Sequence, residues 1–171
     1  MKKILTLILC ACLPIASIGA NEEDAIAIEE GNVIYFASDD KEMLAAHKEA
    51  QTSVFAITEN YEMLIELQAD INIKVKLSQG DNNEHFWLHD VIYKDGEFHG
   101  TLGNYPVSLT NYKFGDPVSV KPNNISDWFI IMGSEFLGGY TMKVSRNRMD
   151  DAARANFDEM FPYILMSEQA N

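Results

Sequence analysis

Cysteine is almost absent from this 171-residue chain, and its two copies, Cys10 and Cys12, both fall within the first dozen residues. Once a leader carrying them is removed, disulfides and thiol chemistry are excluded, and the fold must be held by its apolar core. Positive charge is also scarce: 13 lysines and arginines stand against 26 acidic residues, a net charge of −13. Such a surface repels phosphate backbones and anionic headgroups, which disfavours nucleic acid and peripheral membrane binding. It leaves a protein or peptide as the expected partner, a basic one if electrostatics steers the encounter. No apolar run reaches the roughly 20 residues that span a bilayer. Gly-x-Ser-x-Gly, Walker-loop, His-Glu-x-x-His and paired Cys/His patterns are missing too, so no motif announces a hydrolase, a nucleotide site or a cofactor.

What is present begins with a targeting pattern. Met1-Lys2-Lys3 is basic, Ile4 to Ile18 is nearly all apolar, and Gly19-Ala20 gives way to Asn21-Glu22-Glu23-Asp24. This is the layout of a secretory signal peptide over residues 1–20, cut after Ala20, and it predicts a periplasmic or secreted protein with no stable membrane insertion. Leu9-Cys10-Ala11-Cys12 offers a second reading, a lipoprotein anchored at Cys12. Losing Lys2 and Lys3 leaves 11 basic against 26 acidic residues, a net charge near −15. Residues 21–38 then form a loose acidic leader with a short strand at Val33-Ile34-Tyr35-Phe36, and residues 39–171 a single domain.

Within that domain, Asp39 followed by Glu42 suggests a capping box. Met43, Leu44, His47, Ala50, Val54 and Phe55 form an apolar helical stripe after it. Thr58 is placed to cap a second segment that buries Tyr61, Leu64, Ile65 and Leu67. One kinked helix and two separate ones both fit Asp40–Gln68. Ile71, Ile73, Val75 and Leu77 alternate with Asn72, Lys74, Lys76 and Ser78, a strand with one buried and one wet face. Asp95-Gly96 joins strands 84–94 and 97–102 as a two-residue hairpin. Counting back from that turn pairs Ile92 with His99 and His89 with Leu102, so Trp87, His89, Val91, Tyr93, Phe98 and Leu102 share the core side. His85 and His89 then stand about 13 Å apart, with His99 on the other face, and no metal site is expected. A short edge strand is expected near Val118, behind Pro117, and a longer one over Ile125–Met132. Tyr140, Met142 and Val144 alternate with Thr141, Lys143 and Ser145, which reads as strand, although a helix also fits. Asp150 or Asp151 caps a last helix ending near Met160. The sum is an α+β domain. Its antiparallel, curved sheet has five or six short strands, packed against N-terminal helical segments, with a C-terminal helix.

Five stretches come in a fixed order: Glu84-His85-Phe86-Trp87, Gly100 to Pro106, Phe114-Gly115-Asp116-Pro117-Val118, Ile125-Ser126-Asp127-Trp128 and Gly138-Gly139-Tyr140-Thr141. Through them the chain resembles the YegJ-like family, which carries the domain of unknown function 2314, over roughly Asp39–Phe161. The resemblance implies a small α+β domain, common among exported bacterial proteins. It implies no activity, cofactor or catalytic residue.

The residues themselves favour a non-catalytic binding module for a protein or peptide, resting on the acidic surface, the edge strand and the aromatic residues. The candidate binding residues are Asp127, Trp128, Tyr140, Thr141, Glu84 and Asp116. A hydrolase would need Asp127 beside Asp116, Glu84 or His85 over one substrate. A small-ligand sensor would need a concave apolar pocket.

Overall fold

A computed structural model describes residues 39–164 in full and the backbone of residues 4–8, 25–28 and 33–37. The backbone segments are strands β1 (Ile4–Ile8), β2 (Ala25–Ile28) and β3 (Val33–Ala37). β3 is the short strand expected at residues 33–36, whereas β2 falls where a loose leader was expected. The cleavage point at Ala20 and both cysteines lie outside the described residues.

The domain opens with helix α1 (Lys41–Ser53). Its cap is Asp40, one residue beyond the expected Asp39, and the Asp40 carboxylate accepts from the Met43 N–H at 2.9 Å. Two short helices follow, α2 (Phe55–Thr58) and α3 (Tyr61–Glu66), so residues 40–68 form three segments rather than one or two. Thr58 ends α2 instead of capping α3. Met43, Ala46 and Ala50 face inward, but Leu44, Phe55, Ile65 and Leu67 are about half exposed, contrary to the expected stripes.

Six antiparallel strands make the sheet of the domain: β4 (Asp70–Gln79), β5 (Asn82–Lys94), β6 (Glu97–Leu102), β7 (Pro117–Val120), β8 (Ile125–Met132) and β9 (Glu135–Gly138). β4 lies between β5 and β8, β9 follows β8, and β6 and β7 extend from the far half of β5. The backbone of β1 runs parallel to the near half of β5, opposite Asn83–His85. Helices α4 (Tyr140–Asn147) and α5 (Asp151–Met160) close the domain, the latter capped by Asp150 through the Ala153 N–H. Residues 140–147 are therefore helix where alternation had suggested strand.

The Asp95-Gly96 turn has positive φ at both positions, +53° and +80°, the requirement of the mirror-image turn that twists with a hairpin. Lys94–Glu97, Tyr93–Phe98 and Ile92–His99 pair as counted from the turn. Beyond them Asp90 adopts φ +54°, two residues of β5 oppose Gly100 alone, and the register slips by one. Leu88, not His89, faces Leu102. A one-residue slip exchanges faces. Trp87 thus leaves the side of Tyr93 and Phe98, and His99 returns to the side of His85 and His89.

Both faces of the sheet are covered in its middle. On one face Ile73, Val75, Phe86, Leu88, Phe98, Leu102, Trp128 and Ile130 pack with Ala50, Val54, Ile57 and Leu64. A second cluster joins Phe129 and Phe136 to Met43, Met142, Met149 and Phe157. This second layer is why the face expected to be wet is dry at Lys74.

Candidate functional site

Lys74 is fully buried and stands opposite Asp127 in the β4–β8 ladder. Its Nζ lies 3.4 Å from the Thr141 hydroxyl and 5.1 Å from the centre of the Trp87 ring. Thr141 Oγ1 donates to Asp127 Oδ2 at 2.5 Å, and the same carboxylate accepts from the backbone N–H groups of Trp128, Tyr140 and Thr141. Asp127 therefore caps α4 from a neighbouring strand, meeting donors that a helix leaves unpaired at its start. This capping makes the segment a helix. Burial pulls the Lys74 ammonium down to about 7 against the opposing pull of the Asp127 charge. Burial also raises the Asp127 carboxyl above its ordinary value, with Lys74 and the Thr141 and Trp128 donors working against the rise. Trp128 is only 3% exposed, and its indole N–H donates to the Ala50 carbonyl and the Ser53 hydroxyl. Tyr140 meets it edge-on, at 5.8 Å between ring centres. Four of the six candidate residues thus gather around one buried polar knot, which ties β8 to α1 and α4.

Glu84 and Asp116 lie elsewhere and share a different task. The buried Glu84 carboxylate accepts from three successive backbone N–H groups, those of Val107, Ser108 and Leu109, and from the Ser108 hydroxyl at 2.5 Å. Asp116 accepts from the Lys113 N–H at 2.8 Å, and its own carbonyl accepts from Leu102 N. The Asn104 side-chain oxygen accepts from the Trp87 N–H. These anchors hold the loop between β6 and β7 in a defined shape. Its outer side bears a groove of about 500 Å³ lined by Tyr105, Pro106, Val107, Tyr112, Lys113 and Phe114 among others. Tyr105 is 75% exposed and Phe114 49%, and the two rings stack at 5.0 Å.

None of the six candidates lines this groove. They hold the fold and the loop that carries it. Sequence reasoning passes over the groove residues, although Tyr105 and Phe114 sit inside two of the stretches that mark the family resemblance. Lys74 gives no signal, because an alternating lysine reads as solvent-facing. His85 is buried and stacks on His47. Among the described residues no group of three or more His, Cys, Asp or Glu is arranged to hold a metal ion.

The geometry defines a small α+β open-sheet domain with an internal capping knot and an aromatic surface groove. The chain belongs to the DUF2314 family, described as an uncharacterized protein conserved in bacteria, whose family model matches residues 40–162. It is 39% identical over 70 residues to uncharacterized protein YegJ of Escherichia coli, covering 41% of this chain and 46% of that one. It is 33% identical over 79 residues to a putative ankyrin repeat protein of Neisseria meningitidis serogroup B, covering 46% of this chain and 31% of the other. The chain thus spans less than half the length of these relatives. No solved structure matches it.

Proposed function

We propose that the chain is an exported, non-catalytic binding module whose groove between β6 and β7 takes a protein or peptide. The observation that carries this reading is the stacked, exposed pair Tyr105–Phe114 on a loop fixed from beneath by Glu84. Exposed aromatic groups on a rigid support lose little freedom on binding and anchor interfaces. The groove lining contains no carboxylate, and the Glu84 and Asp127 carboxylates are engaged by backbone donors, so the hydrolase reading lacks a facing acid–base pair. The β7 edge supports strand addition less well: it is four residues long and begins with Pro117, features that blunt an edge. A relative described as an ankyrin repeat protein lends weight to interaction, since such repeats form concave binding surfaces. The net charge of −13 favours a basic partner.

The test compares native protein with a Tyr105→Ser/Phe114→Ser double variant in capture from a periplasmic extract, followed by titration of any purified partner. The variant is expected to bind at least about 30-fold more weakly, about 2 kcal/mol. Its thermal midpoint should change little, because these rings are exposed. Equal retention by both proteins would sink the groove as the site. Export has its own readout. Intact mass of the chain expressed with its leader should correspond to a start at Asn21, and a lipid-bearing Cys12 would select the anchored alternative. Processing after Ala20 would also remove β1 and leave the Asn83–His85 edge of β5 unpaired.

A further inference from the structure

Helix α1 meets the sheet through a histidine pair. The rings of His47 on α1 and His85 on β5 stack with centres 4.8 Å apart and planes 19° from parallel. His85 is fully buried with β1 alongside it. Neither of its ring nitrogens, nor Nε2 of His47, has a hydrogen-bond partner among the described residues. Stacked imidazoles without an acceptor between them persist only while neutral. A proton on His85 would create an unsolvated cation against the His47 ring, and one on the half-buried His47 would set a charge against the buried His85.

Among the described residues the surroundings offer such a cation no relief. β4 contributes Lys74 and Lys76, whose charges oppose protonation of both rings. The Asp127 carboxylate on β8 stands opposite Lys74 and is bound by the Thr141 hydroxyl and three backbone N–H groups. The acids at the start of α1, Asp40 and Glu42, are engaged by Arg148. α4 presents the neutral Thr141 toward Lys74.

We propose that the His47–His85 stack is an acid-operated latch that docks α1 on the sheet while both rings are neutral and frees the helix when either takes a proton. The latch does not depend on the groove being a binding site. Release would part Met43 from the second core cluster and break the bond from Trp128 to the Ala50 carbonyl. Burial, then Lys74 and Lys76, lower His47 from 6.5 to about 4. Burial, then His47 and the same lysines, lower His85 well below 6.5. Both folded values lie below the unfolded one, so the unfolded chain binds more protons in acid. The stabilisation is complete above about pH 6.5 and is lost as pH falls from there toward 4.

Hydrogen exchange of the full chain, corrected for intrinsic rates, tests the latch between pH 7.5 and 4.5. Residues 41–53 should lose at least about tenfold protection relative to β4 and β8. Each tenfold rise in acidity below the ordinary histidine value favours the protonated, open state about tenfold. A His47→Phe/His85→Phe variant keeps a stacked pair that cannot titrate, and its α1 protection should stay level. Unchanged protection of α1 in the native protein, or an equal loss in the variant, would overturn the proposal. Should the variant fail to fold, histidine-ring NMR of the native protein decides. A ring titrating near its ordinary value while α1 stays protected would refute the latch, and rings silent until α1 opens would support it.

Discussion

Replacing Asp127 by alanine is expected to lower folding stability by about 3–5 kcal/mol, the penalty for removing one partner of a buried charge pair. Two losses add. The N–H groups of Trp128, Tyr140 and Thr141 lose their shared acceptor, uncapping α4, and Lys74 is left as a fully buried cation between the Thr141 hydroxyl and the Trp87 ring. Lys74 can lessen its part by shedding its proton, since burial already holds it near 7. The sign follows from linkage. A lysine depressed below its unfolded value of 10.5 weakens the fold most where it is still charged. The deficit of Asp127→Ala should therefore narrow as pH rises through about 7, where the native Lys74 turns neutral and the attraction to Asp127 that the variant lacks falls away. Lys74→Met should be far milder, under about 1.5 kcal/mol, because Asp127 keeps its four donors and an apolar side chain suits the site beside the Trp87 ring. Urea midpoints of the two single variants and the double variant, taken at pH 6 and pH 9, measure the coupling directly. A loss below about 1 kcal/mol for Asp127→Ala would show that the knot does not hold the fold.

Local chemistry makes much of this fold legible. Asp95-Gly96 announces its hairpin because only residues tolerant of positive φ fit a mirror-image turn. Asp150 announces α5 because a cap lies in sequence next to the helix it serves. Even the strands can be counted from alternation and turns. Where the deciding partner is remote, legibility ends. α4 reads as strand because its cap, Asp127, lies 14 residues before Thr141 on another element. Counting from the turn sets Trp87 on the wrong face because one bulged pair, Asp90 and Val91, shifts everything upstream by a residue. Lys74 reads as wet because nothing in an alternating strand reveals a second layer of helices. The candidate site residues share this character. Glu84 and Asp127 stand in the family-like stretches because backbone N–H groups need them, whereas the exposed rings they help to position carry no polar mark. Trp128 looks like a surface anchor, yet its indole bonds to α1 make it a core residue, so its truncation would report on folding rather than on binding.

Gly138→Ala is the second large effect. Gly138 has φ +83°, and a Cβ placed there would lie within van der Waals overlap of the Trp128 carbonyl oxygen and 2.8 Å from the indole Cε3. Strain in the left-handed region alone costs about 1–2 kcal/mol. Here the carbonyl cannot yield, because it accepts the Gly139 N–H at 2.8 Å and belongs to a strand paired on both sides. The β8–β9 hairpin would have to open, drawing the first turn of α4 away from Asp127. A total loss above about 3 kcal/mol is expected. Gly96→Ala is the matched control: its φ is +80°, but a Cβ there meets nothing within 4 Å. It should lose only the strain, about 1 kcal/mol. Equal urea midpoints for the two variants would mean that the close approach to Trp128 is not what requires glycine. If the approach does matter, Gly138→Ala and Asp127→Ala should combine to less than the sum of their separate losses, because each first breaks the same junction between β8 and α4.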